Sequence, residues 1–333
     1  MSVKKLAIIT DAWLPQVNGV VNTYQNINPF LKQKYQIEVL HPMMFTNFSY
    51  PWYKEIKIAI NTKKITEKFF GDYDPDVIHI ATEGPVGIAG KKFCENNKLR
   101  YTTSFHTRFP EYIEQRIMIP KIIGYSFLKN FHKNACNVLV PTISMRNELT
   151  KYQFQNLKIW SRGVNTELFN PLKRKKGMKK YIVYIGRVSL EKNIEAFLEI
   201  RTKMHKIVVG DGPEKQRLQN KYPYVSFVGM KKGQDLANYY ANAEALVFPS
   251  KTDTFGNVIL ESLASGTPVA AYPVTGPKDI LENSLIDSLD NNIENSLNKA
   301  LKIDRKDCRK FAMQFTWDKC ANQFLSNVVN AKN

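Results

Sequence analysis

Nowhere in the 333 residues does an apolar run reach the length of a membrane span, and Met1 to Leu6 runs straight into a predicted strand with no apolar signal region before it. Cysteine is scarce. Cys94, Cys136, Cys308 and Cys320 match no CxxC or metal-ligand spacing and read as reduced thiols of a cytosolic protein. The dinucleotide fingerprint GxGxxG is missing, so a nicotinamide reading loses its main support. A recognisable basic module for reading nucleic acid is missing too. Acid is short: 30 Asp and Glu stand against 48 Lys and Arg, a net charge of +18. Such a field favours anionic partners, whether nucleic acid, anionic lipid or phosphorylated substrates. The chain is also rich in Lys, Asn and Ile together, a compositional bias that gives the same excess with no partner behind it.

What is present is alternation. Leu6–Thr10 (LAIIT) is a short, wholly apolar strand of the kind buried on both faces of a parallel sheet. Ile37–His41, Val77–Ala81, Tyr101–Phe105 and Asn137–Val140 follow, with helical stretches between most of them, the first from Val20 to Lys32. The second half repeats the pattern with Tyr181–Ile185, Lys206–Gly210, Val225–Gly229, Ala245–Phe248 and Val269–Tyr272. The length suits two domains, and the order predicts an α/β fold with parallel sheets and helices on both faces. Ligands of such sheets bind at the carboxyl ends of the strands. The acids Asp72, Asp74 and Asp76 (DYDPD) mimic a metal-binding DxD, but Pro75 and the following strand put them in a turn at the opposite edge.

Strand-end residues therefore carry the chemistry. In FPSKTDTFGNVILESLASGTP (248–268) a strand stops at Pro249-Ser250, and a polar turn runs from Lys251 to Thr254. A helix follows Phe255-Gly256, with Val258, Leu260 and Leu263 on its apolar face. Gly256 admits a ligand close to the backbone, and N–H groups at a helix start attract anions. Asp253 and Glu261, eight positions apart (261 − 253), can face one cavity; the plain alternative is a capping Asp and a solvated Glu. Gly186-Arg187 end the strand YIVYI, with Lys192 five positions after the Arg, and a converging Arg and Lys suit a diphosphate. The first strand leads through DAWLPQVNG (Asp11–Gly19) to a helix start suited to phosphate. His106 directly follows a strand in SFHTRFPEY, with Arg108 and Glu111 on the same loop. From Arg116 to Asn134 there is no acid: Arg116, Lys121, Lys129 and Lys133 interleave with Ile123, Tyr125, Phe127 and Phe131. Ile123, Phe127 and Phe131 can share one helix face, turned either to a core or to a membrane surface. Lys173 to Lys180 (KRKKGMKK) reads as an exposed basic linker that could touch an anionic surface.

These motifs, spread in order from DAWLPQVNG to FTWDKC, resemble those of retaining GT-B glycosyltransferases of family 4. The resemblance implies two Rossmann-like parallel-sheet domains facing a central cleft. Residues 1–168 would form the acceptor side and 169–311 the nucleotide-sugar-binding domain, with a helix within 312–330 crossing back and WSRGVNTELFNP (160–171) as the hinge. It implies transfer of a hexose-type sugar from a UDP- or GDP-linked donor with retention, with no cofactor and no required metal. By the same resemblance His106, Arg187, Lys192 and Asp253 are catalytic: His106 and Asp253 contact the sugar, while Arg187 and Lys192 stabilise the leaving diphosphate. Asn18, Gly19 and Gly186 lie near the phosphates, Met230 beside the base, and Thr254, Phe255, Gly256 and Asn257 along the donor, with Glu261 on the ribose. The pattern departs at Asp253, where most relatives carry Glu. DAWLPQVNG is most similar to members that glycosylate diacylglycerol or lipid-linked acceptors. A lipid acceptor such as diacylglycerol is implied, on an anionic membrane surface, with the enzyme peripheral at the cytoplasmic inner face and no nucleic acid involved. Two alternatives stand: a lipopolysaccharide or other polysaccharide acceptor, and a non-catalytic protein that binds nucleotide sugar or nucleic acid.

Overall fold

The computed structural model describes residues 3–16, 18–50, 53–111, 114, 118, 120–175, 177 and 179–332, so Arg116 and Met178 lie outside the described residues. The chain forms two compact units, Met1–Ser161 with Trp317–Asn333, and Arg162–Thr316. The change of unit falls inside WSRGVNTELFNP, seven residues before the expected 168/169 boundary (168 − 161).

In the first unit the elements run β1 (Lys4–Ile9), α1 (Gly19–Leu31), β2 (Tyr35–Leu40), β3 (Asn47–Tyr50), β4 (Tyr53–Ala59), α2 (Thr62–Tyr73) and β5 (Val77–Ile80). Then come α3 (Pro85–Asn96), β6 (Thr102–Ser104), α4 (Lys121–His132), β7 (Val138–Val140), α5 (Ile143–Lys151) and β8 (Leu157–Ile159). The main sheet is parallel throughout, in the order β2-β1-β5-β6-β7-β8, with Ile8 opposite His79. The inner strands β1, β5 and β7 are largely apolar and buried on both faces, which only helices on each side can cover, while β6 is buried but polar and the edge strands β2 and β8 stay partly exposed. Two elements escape the alternation. β3 and β4 pair as an antiparallel hairpin apart from the main sheet, and β8 adds an edge strand.

The DYDPD acids serve the amino edge of this sheet. The Asp76 carboxylate accepts from the Lys5 amide at 2.7 Å, and Asp74 pairs with Lys332 at 2.6 Å. The acid-free helix α4 differs from the expected arrangement. Its core face is Tyr125, Leu128 and Phe131, while Ile123 and Phe127 are exposed, so Phe131 does not share their face.

The second unit runs β9 (Tyr181–Ile185), α6 (Glu195–Leu198), β10 (His205–Val209), α7 (Lys215–Lys221), β11 (Ser226–Phe227) and α8 (Gly233–Asn242). It continues with β12 (Ala245–Phe248), α9 (Asn257–Ala264), β13 (Val269–Ala271), α10 (Pro277–Leu281), α11 (Ile293–Ala300) and α12 (Arg305–Ala312). The parallel sheet has the order β11-β10-β9-β12-β13. Alternate residues of β9 feed two cores, Tyr181, Val183 and Ile185 on one face and Ile182 and Tyr184 on the other. Helix ends leave carbonyls unpaired, and α12 supplies two arginines to meet them. Arg305 donates to the Ala241 and Ala243 carbonyls, and Arg309 to those of Ala264, Phe169 and Thr166. Burial lowers the Arg305 guanidinium to about 10. The basic linker is partly engaged as well: Arg174 pairs with Glu244 at 2.9 Å, and Lys173 donates to Gln234.

After α12 the chain re-enters the first unit as α13 (Trp317–Asn327). Trp317, Cys320, Ala321 and Phe324 recur at helical spacing and pack with Tyr24, Ile27 and Leu31 of α1 and with Trp160. The Trp160 indole donates to the Cys320 carbonyl at 3.1 Å. Phe324 is wholly buried in this seam. Phe324→Ala should cost the first unit about 3–5 kcal/mol, the scale for emptying a buried aromatic site. Urea unfolding followed by Trp fluorescence reads this loss, and an unchanged midpoint would show α13 to be dispensable.

Candidate active site

The second sheet grows outward from β9 through β10 to β11, then returns to lay β12 against the other side of β9. The loops after β9 and β12 thus emerge side by side at the carboxyl ends, the place where open parallel sheets take ligands. Gly186, Arg187 and Lys192 follow β9, and Asp253 to Asn257 follow β12. Met230 sits in the loop after β11, at the same edge but two strands away, and is exposed.

Side chains stitch the two loops together. Lys192 closes a 3-10 turn, Leu190–Lys192, and its ammonium meets the Asp253 carboxylate at 2.5 Å. The Asn193 amide donates to the Pro249 carbonyl at 3.1 Å, and the Thr252 hydroxyl to the Glu191 carbonyl at 3.3 Å. Beneath them the Tyr184 hydroxyl donates to the Arg187 carbonyl at 2.6 Å. A Cβ on Gly210 would stand 1.8 Å from the Gly186 carbonyl oxygen, so the loops after β9 and β10 touch backbone to backbone. The second Asp253 oxygen is buried.

Helix α9 begins here. Its N-cap is Gly256, held at φ +92°, and a Cβ there would press on Ile259 and Phe248. Glycine brings no capping side chain, so the helix start presents backbone N–H groups with the positive end of the dipole. Phe255 is buried in the core behind the loop. One turn further, the Glu261 carboxylate accepts from the buried Tyr240 hydroxyl at 2.7 Å. Desolvation lifts Glu261 to about 7, against the opposing pull of that hydrogen bond. Asp253 and Glu261 are thus held by different partners. Tyr240 went unread in the sequence, because nothing in NYYAN marks which tyrosine turns inward.

The first unit has the same kind of strand-order reversal, between β1 and β5. There the helix start is filled by the protein itself. Asp11 follows β1, and its carboxylate accepts from the Val86 and Gly87 amides of α3 and from the Thr82 hydroxyl, at 2.8, 3.2 and 2.8 Å. Burial still raises its pKa. Helix α1 is also capped internally: Asn18 accepts from the Val20 and Val21 amides, each at 3.0 Å, directly beside Gly19. His106, past β6, lies 3.4 Å from the Tyr24 hydroxyl. Arg108 and Glu111 are drawn into a cluster with Glu148 and Tyr125, and the Tyr125 hydroxyl donates to Glu111 at 2.7 Å.

Residues 29–168 match the family described as Glycosyltransferase Family 4, and residues 179–312 match Glycosyl transferases group 1. The chain belongs to the GT-B glycosyltransferases. This glycosyltransferase is 26% identical over 311 residues to a GDP-mannose-dependent alpha-mannosyltransferase of Corynebacterium glutamicum, across 84% of this chain and 75% of that one. It is also 26% identical over 316 residues to the alpha-monoglucosyldiacylglycerol synthase of Streptococcus pneumoniae, across 80% and 71%. Its fold matches that of sucrose-phosphate synthase from Thermosynechococcus elongatus with a TM-score of 0.77 and 17% identity, over 97% and 98% of the two chains. The protein is a hexosyltransferase.

The raised Glu261 pKa has a measurable sign. The neutral carboxyl stabilises the fold below its unfolded value near 4.5, and that contribution is lost as pH rises through about 7. Glu261→Gln keeps an acceptor for Tyr240 without ionising. The variant should gain on the wild type between pH 5 and pH 8.5, by on the order of 2 kcal/mol. Thermal unfolding at the two pH values measures this, and a pH-independent difference would place the Glu261 pKa at its ordinary value.

Proposed function

We propose that this glycosyltransferase moves a hexose from a UDP- or GDP-sugar, with retention at the anomeric carbon, to a membrane lipid such as diacylglycerol. The exposed face of α4 carries this reading. Ile122, Ile123 and Phe127 are 56%, 59% and 51% exposed, while Tyr125, Leu128 and Phe131 fill the core. The helix therefore has a second apolar face beyond the one its own unit buries. Lys121 and Lys133 flank it, both exposed, with no acid from 121 to 134. An apolar stripe edged by lysine suits shallow insertion between anionic headgroups. The lipid product in the name of the Streptococcus pneumoniae relative supports the same acceptor class. Among the described residues no helix is long and apolar enough to cross a membrane, so attachment would be peripheral.

In this reading the nucleotide diphosphate leaves as the anomeric bond breaks through an oxocarbenium-like state, and the lipid hydroxyl attacks on the same face. Arg187, Lys192 and the amide-rich start of α9 meet the negative charge that grows on the leaving group. Gly186 lets the diphosphate approach, Asp253 and His106 contact the sugar, and Glu261 holds the ribose. Thr254, Phe255, Gly256 and Asn257 shape the donor site, with Met230 toward the base and Asn18 and Gly19 toward the phosphates. Charge stabilisation by basic residues makes a metal unnecessary in this scheme.

Arg187→Ala and Lys192→Ala should each lower kcat by roughly 10²–10³, the scale for removing one donor to a developing charge, while circular dichroism stays unchanged. Near-normal turnover in both would sink the site assignment. Thermal shift with UDP-glucose and GDP-mannose should identify the nucleotide by selective stabilisation. The protein should pellet with vesicles containing anionic lipid at low salt and leave them at high salt. Ile123→Asp with Phe127→Asp should abolish pelleting and glycolipid formation yet spare donor hydrolysis in solution. Indifference of the wild type to such vesicles would move the acceptor to a soluble or polysaccharide sugar.

A further inference from the structure

Two tyrosines of β9 are buried, and the hydroxyl of each donates to a main-chain carbonyl. Tyr181, on one face of the strand, reaches the Tyr239 carbonyl of α8 at 2.9 Å. Tyr184, on the other face, reaches the Arg187 carbonyl at 2.6 Å. The first partner lies on a helix that covers the sheet. The second lies three residues further along, in the loop at the strand's own carboxyl end. Tyr184 is 3% exposed, packed with Ile182, Val208, Val247 and Phe197. Burial pushes its pKa up, so the hydroxyl keeps its proton. A carbonyl can only accept, so the direction of this hydrogen bond has no alternative.

Both neighbours of Arg187 are tied elsewhere. The Gly186 and Val188 amides donate to the Val209 and Asp211 carbonyls at 3.0 and 2.9 Å, and the Glu214 amide donates to the Val188 carbonyl at 3.1 Å. The end of β10 and the loop after it thus hold the turn on each side of Arg187, while Tyr184 holds the peptide between. Gly186 leaves the room for it: a Cβ there would stand 3.2 Å from the Tyr184 hydroxyl oxygen, tighter than ordinary contact. The charges of Lys192, Asp253, Glu191 and Arg187 all act on this phenol, which places it close to the ion pair that joins the loops after β9 and β12. We propose that Tyr184 is a positioning residue for sugar transfer: its hydroxyl fixes the Arg187 main chain, and with it the point from which the guanidinium reaches the donor diphosphate. A catalytic group displaced by about 1 Å can lose on the order of 10² in rate, so the root of a long side chain matters. The inference rests on the reading of Arg187 as a stabiliser of the leaving diphosphate, and it adds the residue that aims it.

Tyr184→Phe keeps the ring and removes the hydroxyl. In the full-length protein it should lower kcat roughly ten-fold with UDP-glucose or GDP-mannose, whichever is turned over, and leave donor KM little changed. Tyr181→Phe is the control, since it also strips a buried phenol of its hydrogen bond to a carbonyl in the same strand. Thermal unfolding should fall alike in both variants, yet Tyr181→Phe should keep full kcat. In an Arg187→Ala background Tyr184→Phe should cost no further kcat, because a residue acting through Arg187 has nothing left to aim. A purely structural role predicts the same factor in both backgrounds, and that additivity would overturn the proposal. Full kcat in Tyr184→Phe, or an equal loss in Tyr181→Phe, would overturn it as well, even where Arg187→Ala is inactive. Normal turnover by Arg187→Ala would instead remove the diphosphate reading of Arg187, and the positioning role with it.

Discussion

The return of the chain to pair β12 with β9, Leu246 opposite Val183, is the constraint on which the second unit's chemistry depends. Had β12 continued outward beyond β11, the loops after β9 and β12 would lie at opposite ends of the sheet. With the reversal they become neighbours, and Lys192, Asn193 and Thr252 can tie them together side chain by side chain. The glycines follow from the same crowding. Gly210 exists because a backbone already occupies the space its Cβ would need, and Gly256 turns the chain sharply enough to start a helix close to the strand end. Charge is then set within a scaffold whose core, from Val183 to Leu263, is dry.

The first unit uses the same parallel plan but stiffens its centre with polar groups instead. His79 interrupts a strand that is otherwise wholly apolar, and it is accepted there because Thr102, Ser104 and Tyr24 satisfy both ring nitrogens. His132 is handled likewise, between Thr103 and Glu83. Burying such groups costs several kcal/mol if they are left unpaired, so each network must form as a unit or not at all. The aromatic seam of Trp160 and Phe324 keeps water out of the first of them, and that seam forms only because the last helix of the chain returns to this unit.

Much of this organisation is legible from residue order. Tyr181–Ile185 reads as a strand to the residue, since an uninterrupted apolar run bounded by lysines and glycine has little other choice. Gly186, Arg187, Lys192 and the 253–257 segment read as strand-end residues for the same reason, and they do follow β9 and β12 at the carboxyl edge. What stayed hidden depended on three-dimensional partners. The β3–β4 hairpin carries a mixed polar pattern that no large core enforces, so its strands leave a weak signal. In α4 a four-residue period finds Ile123, Phe127 and Phe131, but periodicity cannot tell which of two apolar faces meets the core. Packing against Tyr152, stacked 3.9 Å from Tyr125, decides it. Tyr240 and His79 are invisible as partners until Glu261 and Tyr24 are placed beside them.

Asp11 gives the likeness between the two sheets a further meaning. In the first unit the amides that open α3 already hold a carboxyl group, and that group is part of the chain. A tethered carboxyl group competes at an effective concentration of about millimolar or above, and it never diffuses away. Free phosphate or nucleotide would have to displace a resident guest that is also hydrogen-bonded to Thr82. The start of α3 therefore offers no second anion receptor: there the chain is its own ligand.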